Sequence, residues 1–73
     1  MELKEIIGSN IVKFRTRHNM TQQTLAENAE ISVSHLRNIE HGRINTTVDT
    51  IERLSNCLEV SPRTLVTERK KKD

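Results

Sequence analysis

The residues of this chain best suited to bind a ligand lie in the segment Ser32–Gly42. On a helical wheel, at about 100° per residue, Leu36 and Ile39 define the inward direction. The side chains that then point outward are hydrogen-bond donors and one cation, with no acid among them: Ser34, Arg37, Asn38 and His41. An exposed helix face that serves only solubility commonly mixes both signs of charge, so this one favours an anionic partner.

Catalytic and metal-binding arrangements are absent from the sequence. There is no clustered pair of acids, no Ser/His/Asp set and no glycine-rich phosphate loop, so we predict no enzyme activity and no cofactor. Cys57 is the single cysteine, which excludes an internal disulfide, and it lacks the Cys and His neighbours of a zinc site. The only aromatic residue is Phe14, which argues against binding of single strands by base stacking.

Length and composition indicate one small domain. The chain has 73 residues and a formal net charge of +2, which permits nucleic-acid binding without arguing strongly for it. No apolar run approaches the roughly 18 residues of a membrane span. The N-terminal segment lacks the apolar core of a signal peptide. We therefore expect a cytoplasmic protein, in keeping with its single unpaired thiol.

Apolar residues recur at helical spacing along the chain and predict five short helices. The first runs from about Leu3 to His18, with Gly8 as a point of close packing. The other four are marked in turn by Leu25, Ala26 and Ala29, by Leu36 and Ile39, by Val48, Ile51, Leu54 and Leu58, and by Leu65 and Val66. We predict an all-α, compact bundle of five short helices over residues 1–68, with no internal repeat and a frayed basic tail at 69–73.

Capping residues support these boundaries. Thr21 and Ser32 are placed to cap the second and third helices, and Thr46 with Asp49 resembles a capping box for the fourth. Ser61-Pro62 is typical of a helix start, and Gly42 of a left-handed helix end.

The segment from Gln22 to Gly42 resembles the helix-turn-helix of the Cro and phage-repressor type, the XRE family. The residues that carry the resemblance are Gln22, Leu25, Ala26, Ile31, Ser32, Leu36, Ile39, Glu40 and Gly42. The flanking segments 7–11 and 14–15 resemble the family's first helix, and the segments 45–51 and 58–61 resemble its fourth helix and the turn that follows. The resemblance implies a lambda-repressor-like DNA-binding domain, with the motif at about residues 21–42.

The resemblance also implies roles for individual residues. Gln22 would contact a phosphate, and the third helix would enter the major groove. On that helix the residues implied to face DNA are Ser32, Val33, Ser34, Arg37 and Asn38. The loop after Gly42 would follow the backbone with Arg43 and Asn45, while Arg15 and Glu40 would form a structural ion pair between the first and third helices.

Several of these residues have more than one possible role. Arg37 can bind a guanine edge or a phosphate, or remain a solvated cation. Asn38 suits adenine but lies far along the helix, and Val33 suits either a thymine methyl group or packing. Glu30 departs from the family pattern, because the turn normally places glycine there; either Glu30 adopts the left-handed conformation or the turn differs.

These expectations combine into a sequence-specific, double-stranded-DNA-binding transcriptional regulator, a repressor or controller protein. A homodimer on an inverted repeat is expected, since one such helix buries little surface. Its interface is predicted around Leu58, Val60, Leu65 and Val66, unless these residues simply close the core. The alternative function is an antitoxin or anti-repressor module that acts mainly through a protein partner.

Overall fold

The computed structural model describes residues 2–68, which form five α-helices and no strand. The helices are α1 (Leu3–Arg17), α2 (Gln22–Asn28), α3 (Val33–Glu40), α4 (Val48–Cys57) and α5 (Pro62–Val66). The prediction of an all-α bundle is therefore confirmed, with boundaries close to those expected. The predicted basic tail at 69–73 lies outside the described residues.

Helix α1 is the platform on which both helical hairpins rest, because it packs against α3 and also against α5. Its stripe of Ile7, Ile11 and Phe14 is buried in one core with apolar residues from every other helix. The remaining core members are Leu25, Ala26, Ala29, Leu36, Ile39, Leu54, Leu58 and Leu65. The position of α3 is thus fixed by what α1 and α2 present to it.

Gly8 is the point at which α1 comes closest to α3. A Cβ atom at Gly8 would lie 2.4 Å from the backbone oxygen of Ile39 and 2.6 Å from that of Glu40. Both distances are far below any real van der Waals contact, so only glycine fits. The close packing expected at Gly8 is therefore present, and its partner is the C-terminal end of α3.

All four helices α1 to α4 end in the same kind of turn, with a left-handed residue just after the cap. These residues are Asn19, Glu30, Gly42 and Glu59, with φ of 56°, 61°, 69° and 59°. In the turn after α2, for example, the N–H of Glu30 donates to the Glu27 carbonyl at 3.2 Å and the N–H of Ile31 to that of Ala26 at 3.0 Å. This is the Schellman pattern, so Glu30 adopts the conformation that the family reserves for glycine.

The hairpins α2–α3 and α4–α5 resemble each other at four positions. Leu25, Glu30, Ser32 and Leu36 of the first correspond in order and spacing to Leu54, Glu59, Ser61 and Leu65 of the second. In each hairpin the two leucines are buried, the glutamate is left-handed and the serine precedes the next helix. The similarity escaped the sequence reasoning because only these spaced positions match.

The capping predictions hold for Thr21 and Ser32, whose hydroxyls accept from the N–H groups of Thr24 and His35, both at 3.0 Å. The predicted cap at Thr46 is wrong by one residue: Thr47 caps α4 and accepts from the N–H of Thr50. The Thr47 hydroxyl also donates to that of Thr50 at 2.9 Å, which gives a buried hydroxyl its partner. Val48, expected on the apolar face, is 76% exposed at the first turn.

Replacing Glu30 by glycine should stabilise the protein. Left-handed backbone costs a residue with a Cβ about 1–2 kcal/mol, and glycine removes that cost, so we expect a gain of about 1 kcal/mol. For a domain of this size that raises the midpoint of thermal unfolding by about 4–8 °C. Glu27→Gly, in the last turns of the same helix, is the matched control and should lower the midpoint. An unchanged or lower midpoint for Glu30→Gly would show that the turn is not strained.

Candidate nucleic-acid interface

The outward face of α3 carries the polar residues expected on it. Ser34, Arg37 and His41 are exposed and Asn38 is half-buried, opposite the buried Leu36 and Ile39. Val33 is half-buried and packs against the hydrophobic core, and the rest of its side chain stays accessible beside this face. The face is therefore built from donors and a cation held on a short helix whose inner side is locked in the core.

The flanks of α3 hold the remaining residues predicted to face DNA. Ser32 is the N-cap, so its oxygen is occupied by the His35 N–H while its own hydroxyl hydrogen can still donate. Arg43 follows Gly42, and its side chain approaches the Asn38 carboxamide oxygen at 3.5 Å, at the limit of hydrogen bonding. Asn45 is exposed beside Glu2, Leu3 and Lys4, at the start of α1.

Arg15 and Glu40 lie in contact at the junction of α1, α2 and α3. The Arg15 Nε donates to Glu40 Oε2 at 2.7 Å and its Nη2 to Oε1 at 3.2 Å, a bidentate pair. The remaining Arg15 nitrogen donates to the Met20 carbonyl in the α1–α2 turn at 2.9 Å. The side chains are only 17% and 3% exposed, so this is a largely buried ion pair that joins three segments.

Gln22 belongs to the same junction, because its amide nitrogen donates to Glu40 Oε1 at 2.8 Å. That bond uses one of the two amide hydrogens and leaves the other, with the amide oxygen, for a further partner. Glu40 therefore accepts from both Arg15 and Gln22, and its charge is compensated and withdrawn from the surface. The acid that borders the α3 face in the sequence thus contributes little negative potential to it.

Two structural residues outside the α3 face were missed by the sequence reasoning. The Asn10 amide nitrogen donates to carbonyls at the end of α5, those of Thr64, Leu65 and Thr67, at 2.9–3.2 Å. The sequence signal that could have revealed this contact is an asparagine at a position on the apolar stripe of α1, where an amide needs a hydrogen-bond partner. Arg53 reaches from α4 to the α2–α3 turn, where its Nη1 donates to the Ala29 carbonyl at 3.3 Å, and no spacing in the sequence reveals that contact.

The predicted dimer surface needs correction at two of its four residues. Leu58 and Leu65 are 0% exposed and belong to the core of the protomer. They close the core because the left-handed turn at Glu59 folds α5 back onto α1. Val60 is half-buried against the same core, which leaves Val66, 37% exposed, as the accessible apolar residue of the set.

No helix within residues 2–68 has the length and apolar character needed to cross a membrane. In the same part of the chain, His, Cys, Asp and Glu form no group suited to hold a metal ion. Burial raises the pKa of the Cys57 thiol, which favours its protonated form.

Comparison with known proteins identifies the architecture. A family model described as Helix-turn-helix matches residues 11–65. An uncharacterized HTH-type transcriptional regulator, y4dJ of Sinorhizobium fredii, is 34% identical over 92% of this chain and 87% of its own length. The control protein C.SmaI of Serratia marcescens is 30% identical over 92% of this chain and 80% of its own.

The fold is also that of a solved controller protein. The restriction-modification controller protein C.AhdI from Aeromonas hydrophila superposes with a TM-score of 0.82 and 27% identity, over 85% of this chain and 94% of that one. These relatives are described as a transcriptional regulator and as control or controller proteins, and the matched residues 11–65 include α2 and α3. The chain belongs to the helix-turn-helix family of DNA-binding transcriptional regulators.

Proposed function

We propose that this protein binds a specific double-stranded DNA operator by placing α3 in the major groove. The observation that carries the proposal is the outward face of α3, which combines Ser34, Arg37 and Asn38 with no free acid. The neighbouring Glu40 is buried and paired, so the face presents donors and positive charge to a polyanion. An α-helix of this width fits the major groove, where donors and acceptors distinguish all four base pairs.

Within this arrangement we assign base reading and backbone binding to different residues. Ser32, Val33, Ser34, Arg37 and Asn38 lie on or beside the groove-facing side and read bases, with Arg37 suited to a guanine edge. Gln22, Arg43 and Asn45 flank that side and bind phosphates. Phosphate contacts fix the register of the protein on DNA and contribute affinity that depends on salt, whereas base contacts give sequence specificity.

We further propose that the protein acts as a homodimer on an inverted repeat, in the cytoplasm where its DNA target lies. A single module of this type buries only about 600–1,000 Å² on DNA, which limits its affinity and the length of sequence it reads. Two copies would place their α3 helices one helical turn apart, about 34 Å. With Leu58 and Leu65 assigned to the core, the surface available for pairing is the exposed side of the α4–α5 hairpin around Val60 and Val66.

Selection of bound sites from random duplex DNA tests the function directly. We expect enrichment of a two-fold symmetric sequence, because each protomer contributes one α3 helix. Binding to the enriched duplex should weaken steeply with salt, by about 0.9 log units per phosphate contacted for each log unit of salt. Sedimentation should show two protomers per duplex. Failure to enrich any sequence would favour the protein-partner function, and one protomer per site would exclude the dimer.

A further inference from the structure

We propose that Arg53 is a positioning residue for DNA binding: it ties the α2–α3 turn to α4 and sets the orientation of the recognition helix without touching DNA. The proposal deepens the proposed function and rests on it. Arg53 spans the gap between the two hairpins. Its Nη1 donates to the Ala29 carbonyl at 3.3 Å and its Nη2 to the Asp49 carboxylate at 2.8 Å.

The chemistry of the Ala29 carbonyl explains why a cation is held there. Ala29 is the C-cap of α2, so its carbonyl lies among the terminal carbonyls that carry the negative end of the helix dipole. A guanidinium at this position satisfies the oxygen and compensates the dipole. The Glu30 carboxylate, 4.0 Å from Arg53 and 80% exposed, adds little because solvent screens it.

Closure of the turn does not depend on Arg53. The N–H groups of Glu30 and Ile31 already donate to carbonyls within α2, and the α4–α5 hairpin closes with the same pair of bonds, from Glu59 and Val60. The contribution of Arg53 is therefore a polar link between the turn and α4, which the turn does not need for its own closure. The α2–α4 packing is the least extensive of the principal helix contacts, so one polar link is a large part of what holds α2 in place relative to α4.

A direct contact of Arg53 with phosphate is disfavoured by its surroundings. Asp49 occupies one edge of the guanidinium at 2.8 Å and would repel a phosphate at the same place. The Arg53 Nε is buried without a hydrogen-bond partner, although 38% of the side chain is exposed, so the guanidinium is partly withdrawn from solvent and its inner edge lies against the protein. The proposed dimer surface lies on α4 and α5, and the proposed recognition face lies on α3. Arg53 therefore links the hairpin that would pair with a second protomer to the hairpin that would bind DNA.

The test compares Arg53→Met with Arg43→Met, since each removes one positive charge but only Arg43 is assigned to the DNA backbone. Affinity for the duplex enriched by selection is measured across a salt series, at a temperature where circular dichroism shows each variant folded. For Arg53→Met we expect about a three- to thirtyfold loss of affinity. The slope of log affinity against log salt should match that of the wild type. For Arg43→Met the magnitude of the slope should fall by about 0.9.

Other results would overturn the proposal. Wild-type affinity in folded Arg53→Met would show that Arg53 serves stability alone, and a reduced salt slope would show that it binds phosphate directly. If Arg53→Met does not fold, Arg53→Lys replaces it: the charge is kept but a single nitrogen cannot bridge both oxygens, so we expect about a threefold loss at unchanged slope. Wild-type affinity of Arg53→Lys would then overturn the proposal. A wild-type protein that enriches no duplex sinks the DNA-binding function instead, and this inference with it.

Discussion

Glu40→Ala is expected to lower the free energy of unfolding by about 3–5 kcal/mol, because it leaves a buried guanidinium without its partner. A chain of this length has a total stability of only roughly 4–11 kcal/mol. The loss is a large share of that total, so the variant should unfold at a clearly lower temperature and urea concentration than the wild type. Thermal and urea unfolding monitored by circular dichroism measure the change. Loss of DNA binding should follow the loss of fold.

The size of this effect follows from the geometry of the junction. Arg15 makes a bidentate contact to Glu40, and Gln22 donates to the same carboxylate. Removing the acid strands the Arg15 Nε and Nη2 and one Gln22 amide hydrogen in a site where the Arg15 side chain is 17% exposed. Removing an exposed acid strands nothing, so Glu52→Ala is the matched control and should change stability by less than about 0.5 kcal/mol.

A double variant separates the value of the ion pair from the cost of breaking it. Arg15→Met combined with Glu40→Leu removes both charges and keeps apolar volume, so it should recover most of the stability lost by Glu40→Ala. The Gln22 amide would then have no acceptor at that site, and we expect weaker DNA binding despite the restored fold. If Glu40→Ala instead folds and binds DNA as the wild type does, the pair is only a surface contact.

The features that the sequence predicted well are those set by local chemistry. Thr21 and Ser32 cap helices because their hydroxyls reach an N–H three residues on, a geometry contained within four residues. Gly42 follows α3 in the left-handed conformation, as predicted, for an equally local reason. The hydrophobic spacing placed all five helices for the same reason, because burial of one side of a helix has a fixed period.

The features it missed depend on tertiary packing. Thr46 and Thr47 both offer a hydroxyl at the start of α4, and the structure uses Thr47, which lies three residues before the buried Thr50. Leu58 and Leu65 were predicted to lie in a dimer interface because the sequence does not show how far a small core extends. The Arg53 contact with Ala29 joins residues on different hairpins, and only the assembled fold brings them together.

The residues of the candidate site came more from the family resemblance than from hydrophobic spacing, and only part of their arrangement could be predicted. The wheel of α3 separated Ser34 and Arg37 from the inward residues, and the structure has both exposed. The same wheel placed Glu40 at the border of the face, but only its contacts with Arg15 and Gln22 show that its charge is buried. Burial depends on neighbours from two other segments, which is why composition alone left the interface electrostatics open.

Gly8→Ala is expected to destabilise the protein by about 1–3 kcal/mol, although alanine is the better helix former. Helix propensity alone would favour alanine by about 1 kcal/mol. The new methyl group, however, would meet the carbonyls of Ile39 and Glu40, and these are backbone atoms that cannot rotate away. The sign of the change in unfolding free energy therefore reports whether α1 and α3 are as close as the structure shows.

The consequence for DNA binding follows from which helix must move. Relief of the contact requires α1 and the C-terminal end of α3 to move apart, which tilts α3 and strains the Glu40 junction. Folded Gly8→Ala should therefore bind the selected duplex more weakly, with an unchanged salt slope because no phosphate contact is removed. Ser9→Ala, one residue along on the exposed side of α1, is the matched control and should leave stability within about 0.5 kcal/mol and affinity unchanged. A Gly8→Ala protein that is more stable than the wild type would mean that the two helices are farther apart in solution.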